Sequence, residues 1–378
     1  MALNILFVIP SLRRAGAETQ FVELINGMDN ATFNKHLLCF EKELDLLPRL
    51  DRSNVKFIHH PRSYKFDFSM VSSISRIIDD NDIDLVFCSL RLSLLMGWLG
   101  VKKSDKKPHM VYAIHSTINQ VLKTEIFDRF IYQWLMRNCE KILFVCNNQK
   151  RYWESKYSFL KNKSVAIHNG VDTEIFNPQN FTANAIEFKN NNNIPEDSIV
   201  LTSVAGFRPE KGHIILLQSF MSLLKNRPNC YLLLAGDGQE RLSIEAFIES
   251  HGLENNVKLL GNVEKIQDVL AASDMTILAS TAVETFSMAM LESMAMGVPV
   301  VATDIGGANE AIFPSKTGYL IEPGSPESLL QGITSLLNLY DAGNKEGIAQ
   351  QCRNMVEDNF SKTQMIDKTE DTLLNVIN

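Results

Sequence analysis

Two doubly wound α/β domains of similar size, facing each other across a cleft, are the architecture this sequence predicts. Three observations lead there. The chain has 378 residues, more than one hydrophobic core normally organises. Short apolar runs rich in β-branched residues alternate with helix-length segments, the βαβ rhythm of a parallel sheet covered on both faces. The rhythm pauses at an asparagine-rich stretch, Asn190–Asn193, which reads as a linker, and then starts again.

In the first half, strands are expected at Ile5–Ile9, Lys35–Phe40, Val55–Ile58, Leu85–Cys88, Met110–Ala113 and Ile142–Cys146, because each is a compact apolar run bounded by turn-forming residues. Helices fit between them at Glu18–Met28, Met70–Asp80, Ser93–Gly100, Phe127–Asn138 and Asn148–Lys156. The run Val165–Asp172 closes this domain, 1–172. The second domain, 173–362, repeats the scheme. Its strands are Ile199–Ala205, Tyr231–Ala235, Val257–Leu259, Met275–Ala279, Val298–Ala302 and Tyr319–Ile321. Its helices are Ile214–Lys225, Arg241–His251, Ile266–Ala272, Ser287–Met296 and Glu327–Leu339. A last helical pattern, Thr363–Val376, is expected to return to the first domain within the segment 363–378. Ligands of such sheets bind beyond the carboxyl ends of the strands, so the loops after strands are where functional residues are sought.

Composition narrows the class. Hydrophobic residues make up 45% and charged residues 21%, an ordinary globular balance. Six cysteines, at 39, 88, 139, 146, 230 and 352, include no CxxC pair and mostly sit in apolar runs, as buried thiols of a reducing compartment do. The run Asn4–Pro10 is too short for a signal peptide, and the apolar segment Leu90–Val101 is interrupted by Arg91, so no membrane span is expected. The net charge of −7 is unevenly spread: residues 1–170 hold 24 Lys and Arg against 17 Asp and Glu, a balance of +7, and the remainder holds 13 against 27, a balance of −14. A basic first half suits a membrane surface or a phosphorylated acceptor, and equally suits two surfaces that merely differ. Trp98 with Lys102, Lys103, Lys106 and Lys107 is where an anionic bilayer would be met; the other reading is a solvated loop after a core helix. The expected location is cytoplasmic, with peripheral contact at the inner face of the membrane, and no nucleic-acid partner is expected.

The stretch Glu284–Glu292 carries the chemistry. Glu284 falls in a loop and Glu292 inside the helix that follows, which sets the two carboxylates on the order of 10 Å apart at the helical rise. Between them lies a helix N-terminus, whose free N–H groups suit an anion. A carboxylate, a phosphate cradle and a second carboxylate in line would serve a sugar, a diphosphate and a ribose; the bland alternative is a solvated helix with two surface glutamates. Arg208 and Lys211 follow the first strand of the second half, where cations would neutralise a diphosphate. Gly16 ends the first strand–helix loop and allows close backbone approach, although the loop is not the GxGxxG of a dinucleotide site. Gly236-Asp-Gly238 suggests a tight turn. His115 follows another strand, a position a structural histidine also fills. Asp82-Ile-Asp84 has the letters of a metal-binding pair but precedes a strand, at the end of the sheet away from ligands, so no catalytic metal and no cofactor are expected.

Taken in order, these motifs resemble family 4 of the retaining glycosyltransferases, the GT-B fold of two Rossmann-like domains, over nearly the whole chain. Glu284 to Glu292 with Ser293-Met-Ala-Met-Gly-Val-Pro-Val300 matches the family's Glu-x7-Glu and the segment after it. Thr303-Asp-Ile-Gly-Gly307 with Glu310, Gly318–Gly324, Asn169–Asp172 and Gly16-Ala-Glu18 look like the family's too. The resemblance implies a metal-independent, retaining transfer from a nucleotide-diphosphate sugar, UDP favoured, to a glycan or lipid-linked acceptor in cell-surface polysaccharide or lipopolysaccharide assembly. It implies that Glu292 holds the ribose, Glu284 the donor sugar, N–H groups near Phe286, Ser287 and Met288 the diphosphate, and Lys211 its charge. Gly16 would let the first domain close on the donor, and His115 would lie beside the transferred sugar. Two positions depart from the pattern: Gly206 stands where the family has arginine, making Arg208 a shifted substitute, and Ala15 stands where a second glycine is usual. An epimerase, a phosphorylase or a non-catalytic sugar-nucleotide-binding protein would share the fold.

Overall fold

The computed structural model describes residues 2–62, 67–115, 131–282 and 284–377. The chain forms two compact units, Met1–Gly170 with Lys362–Asn378, and Val171–Ser361.

The first unit holds β1 (Leu3–Ile9), β2 (Phe33–Cys39), β3 (Val55–His59), β4 (Leu85–Ser89), β5 (His109–Ile114), β6 (Lys141–Phe144) and β7 (Ser164–Ala166). They form one parallel sheet ordered β3-β2-β1-β4-β5-β6-β7. The central strands carry continuous apolar runs rather than alternating, because helices cover both faces: β1 is fully buried from Ile5 to Ile9. One face packs under α1 (Gly16–Gly27), where Phe7, Phe21 and Phe87 meet edge to face or tilted within 5.7 Å. The other packs under α2 (Ser69–Asp80), α3 (Arg91–Lys103), α4 (Gln133–Arg137) and α5 (Asn147–Lys156). Of the expected helix Phe127–Asn138, residues 127–130 lie outside the described residues.

The second unit holds α6 (Thr182–Asn191), β8 (Ile199–Val204), α7 (His213–Leu224), β9 (Cys230–Ala235), α8 (Arg241–Ser250), β10 (Val257–Gly261), α9 (Ile266–Ala271) and β11 (Met275–Leu278). It continues through α10 (Met288–Ala295), β12 (Val300–Thr303), β13 (Gly318–Ile321), α11 (Pro326–Asp341) and α12 (Lys345–Asn359). Its strands run in the order β10-β9-β8-β11-β12-β13, all parallel. The strand order reverses beside β1 in the first sheet and beside β8 in the second, and those are the switch points where such sheets bind ligands.

The final helix, α13 (Lys362–Ile377), belongs to the first unit: Met365, Ile366 and Leu373 join the core under α1, and Glu370 accepts from the Asp29 N–H. The asparagine-rich stretch is not a linker. Asn190 and Asn191 end α6, Asn193 takes a left-handed φ of 54°, and Ile194 is buried in the second core. Asparagine tolerates that conformation and favours helix ends, so the composition that suggested a linker marks a helix stop. The backbone boundary between units is instead Gly170/Val171. Helix α12 was not expected from sequence, because it buries only Ile348, Cys352 and Val356, one side chain per turn on an otherwise polar cylinder.

Candidate functional site

Three loops of the second unit meet at its switch point. The first leaves β8 as Gly206–Gly212. The second leaves β11 as Ala279–Ser287. The third, Asp304–Gly307, leaves β12. Two close approaches between them need a glycine. Gly212 has φ +68°, and a Cβ there would lie 2.1 Å from the Ala279 carbonyl oxygen. Gly306 has φ +60°, and its Cβ would lie 2.3 Å from the Glu284 carbonyl oxygen. Hydrogen bonds close the gaps: Thr281 N–H donates to Glu210 O at 2.8 Å, and Gly307 N–H to Thr285 O at 2.7 Å. Below the first loop, the Gly236–Gly238 turn supports it, with Phe207 N–H donating to Asp237 O at 2.9 Å.

This backbone frame brings Lys211 and Glu284 together. Lys211 Nζ donates to Glu284 Oε2 at 2.7 Å, with 13% and 20% of the side chains exposed. At that depth each charge is held by the other and still reachable from solvent. Ser280 Oγ, on a residue 2% exposed, also points to Glu284 Oε2 at 3.4 Å. Thr303 Oγ1 in turn donates to Ser280 O at 2.7 Å, so β12 steadies the loop that carries the carboxylate. Arg208 stands apart from the pair: it is 57% exposed and its guanidinium lies 3.2 Å from Glu210.

Glu284 is followed by a buried Phe286, whose ring packs 5.3 Å from Phe360, and by Ser287, the N-cap of α10. Ser287 Oγ accepts from Met290 N–H at 3.4 Å. The first N–H groups of α10, from Met288 on, have no carbonyl within their own helix, the arrangement that favours an anion. Glu292 sits one turn into α10, half-buried, with Leu291 and Ser293 buried on either side. The helix stops at Gly297, φ +73°, before β12.

The other expected residues lie in the first unit. Gly16 is the first residue of α1, and a Cβ there would meet nothing within 4 Å. Packing therefore does not demand glycine at this position. His115 directly follows β5, and its Nε2 is buried without a partner among the described residues. Burial pushes its pKa down to about 4, so the ring is neutral near pH 7. It lines a cavity of about 230 Å³ together with Arg91, Tyr112, Tyr132 and Trp153. Asp82 and Asp84 both pair with Lys106, and among the described residues no cluster of three or more His, Cys, Asp or Glu could hold a metal ion. All six cysteines are buried free thiols. No described helix is long and apolar enough to cross a membrane.

Sequence reading missed His213. It opens α7 two residues after Lys211, is 3% exposed, and has neither ring nitrogen partnered among the described residues. Its ring packs edge to face on Phe207 at 4.8 Å. Burial, with Lys211 adding to it, pushes its pKa down to about 4. The unfolded chain therefore binds a proton at this ring between about pH 6.5 and 4 that the folded chain does not. Stability falls as pH drops through that window, by up to about 1.4 kcal/mol per pH unit. His213→Phe is expected to lose less thermal stability between pH 7 and 4.5 than the parent. Equal losses in scanning calorimetry would mean that the ring titrates normally in the fold.

Two family models and several known proteins match the chain. The model of the family "Glycosyl transferases group 1" matches residues 184–359, and that of "Glycosyltransferase Family 4" matches residues 14–175. The chain is 23% identical over 314 residues to N-acetyl-alpha-D-glucosaminyl L-malate synthase of Bacillus anthracis, covering 82% of this chain and 80% of that protein. It is 23% identical over 319 residues to the UDP-Gal:alpha-D-GlcNAc-diphosphoundecaprenol alpha-1,3-galactosyltransferase of Escherichia coli, with the same 82% and 80% coverage. Among solved structures, Anabaena Alr3699/HepE in complex with UDP superposes with a TM-score of 0.85 at 20% identity, over 99% of this chain and 100% of that one.

Proposed function

We propose, from the premise that this chain belongs to the glycosyltransferases of group 1 and family 4 with the GT-B fold, that it is a retaining, metal-independent enzyme using a UDP-sugar. Its acceptor is a hydroxyl of a glycan or lipid-linked glycan in cell-surface polysaccharide or lipopolysaccharide assembly. The observation that carries this reading is the Lys211–Glu284 pair at the second sheet's switch point, followed directly by the N-terminus of α10. A transferase of this kind must hold a diphosphate while its bond to the sugar breaks. Lys211 supplies a cation where that charge grows, and the first N–H groups of α10 add donors aimed at it. Glu284 Oε2 is an acceptor for a sugar hydroxyl, and Glu292, one turn further, is an acceptor for the ribose. Catalysis is then chiefly positioning and stabilisation of the leaving charge; as the acceptor oxygen bonds to the anomeric carbon and the diphosphate leaves, the diphosphate takes the hydroxyl proton, so no protein base is needed. The likeness to a galactosyltransferase whose acceptor is a diphosphoundecaprenol-linked sugar supports a lipid-linked acceptor.

The test is product analysis with UDP-sugars and cell-envelope extract, with and without EDTA. A new glycosidic bond of the donor's own anomeric configuration is expected, and EDTA is expected to leave the rate within about twofold. An inverted anomer overturns the retaining assignment. Abolition by EDTA with recovery on manganese overturns the metal-independent one and returns attention to Asp82 and Asp84.

A further inference from the structure

The first sheet carries a concavity at the amino ends of β1, β2 and β3, the opposite end from Gly16 and His115. Its volume is about 530 Å³, within the range of small-molecule sites. The parallel register builds its wall. Asn4 of β1 stands opposite Asn34 of β2; two residues further, His36 stands opposite Lys56 of β3. Residues two apart on a strand share a face, so Asn34, His36 and Lys56 line one side together. Arg52 and Asn54, in the turn before β3, complete the rim.

The charges lining this basin are of one sign: it has three cations and no carboxylate. Arg52 is exposed and has no hydrogen bond or ion pair among the described residues. Lys56 donates to Asn81 Oδ1 at 2.6 Å, a neutral acceptor that leaves the ammonium charge uncompensated. Lys35 is different. It is 3% exposed, donates to the carbonyls of Ile25 and Met28, and has its charge offset by Asp51, Glu370 and Asp29 from outside the basin. Lys35 therefore serves the fold, and two cations remain for a ligand.

His36 supplies a second, independent observation. It is 9% exposed, lines the basin, and its Nδ1 has no partner among the described residues. A polar nitrogen at that depth without a partner is costly to the protein, and a ligand hydrogen bond would meet it. Acceptors for hydroxyls stand beside it. The amide nitrogens of Asn34 and Asn54 donate to Asn4 and Asp51, while their side-chain oxygens accept from nothing among the described residues.

We propose that this basin is a second ligand site that takes a phosphorylated sugar, with Arg52 and Lys56 on the phosphate, His36 completing a hydrogen bond at the floor, and the oxygens of Asn34 and Asn54 on sugar hydroxyls. Two uncompensated cations match a phosphate dianion, where a single carboxylate would satisfy only one. The site shares no residue with the donor pocket around Lys211 and Glu284, so either assignment can fail alone.

The full chain is titrated by calorimetry with glucose 1-phosphate, inorganic phosphate, glucuronate and glucose, with saturating UDP present to fill the donor site. Glucose 1-phosphate is expected to bind, inorganic phosphate and glucuronate about tenfold more weakly, and glucose not measurably. Arg52→Gln should weaken glucose 1-phosphate binding about tenfold, and His36→Phe, which keeps a ring at the floor without its nitrogens, about threefold. Lys211→Ala should bind it as the parent does. Thermal melts check folding; Arg52 is on the surface, so its variant keeps the test intact even where His36→Phe does not fold. Binding lost in Lys211→Ala and kept in Arg52→Gln would put the ligand in the donor site and overturn the proposal. No binding at millimolar glucose 1-phosphate overturns it too, and glucuronate binding as tightly as glucose 1-phosphate overturns the phosphate assignment.

Discussion

Lys211→Ala is expected to lower kcat/KM for transfer from a UDP-sugar by about 10²- to 10³-fold, the loss typical of removing one preorganised donor from a developing anion. The direction follows from what the variant leaves behind. Without the ammonium, Glu284 remains at the site as an uncompensated carboxylate, 20% exposed, and repels the diphosphate that the lysine attracted. Binding of the donor and stabilisation of the leaving group therefore worsen together, with the larger share in kcat because charge accumulates as the bond breaks. Lys211→Arg should recover only part of the loss. A guanidinium keeps the charge but is broader than an ammonium, and the loop is tied down by the Thr281 hydrogen bond and the Gly212–Ala279 approach. Steady-state kinetics of the three proteins, with thermal melts to confirm folding, decide this. A Lys211→Ala enzyme within fivefold of the parent would remove the lysine from the chemistry and leave the pair a structural one.

Most of the frame of this site is legible in the chain itself, for reasons that can be stated residue by residue. Parallel strands buried on both faces advertise themselves as unbroken apolar runs, so Ile5–Ile9 and Met275–Leu278 are hard to mistake. The helix break at Gly297 and the cap at Ser287 are local chemistry, written in the residues that perform it. What spacing cannot supply is pairing across loops. Lys211 and Glu284 are 73 residues apart, and their contact depends on Gly212 and Gly306 fitting against carbonyls from the loop after β11. Nothing in either segment alone states that. The same holds for His213, which reads as one polar residue at a helix start until Phe207 and the sheet enclose it. The lysines after α3 fail in the opposite way: as letters they form a basic patch, and the fold assigns Lys106 to Asp82 and Asp84. Helix α12 hides because a stripe of three buried side chains leaves its composition looking like surface.

The ion pair also separates the roles of the two glutamates in a way that equilibrium binding can read. Glu292→Ala is expected to weaken binding of free UDP by roughly 10- to 100-fold, because a charged acceptor for ribose hydroxyls is worth about 1.5–3 kcal/mol per contact at most. Turnover at saturating donor should change far less, since the ribose is held equally before and during transfer. Glu284→Ala should do the reverse. It frees Lys211 from its partner at 2.7 Å, so the ammonium is no longer shared when a diphosphate arrives. Free UDP should then bind as well as to the parent or up to several-fold more tightly, because removing one negative charge a few ångströms away is worth on the order of 1 kcal/mol in a solvated site. Transfer should nonetheless fall by 10²-fold or more, because the sugar loses the acceptor that orients it. Glu284→Gln, which keeps a hydrogen-bonding oxygen without the charge, should share the tighter UDP binding and recover part of the rate. Titration calorimetry with UDP on the three variants, beside turnover of the intact donor, checks each arm. Loss of UDP affinity in Glu284→Ala with none in Glu292→Ala would exchange the two assignments, and normal turnover in both would reduce the stretch to a solvated helix beside a structural ion pair.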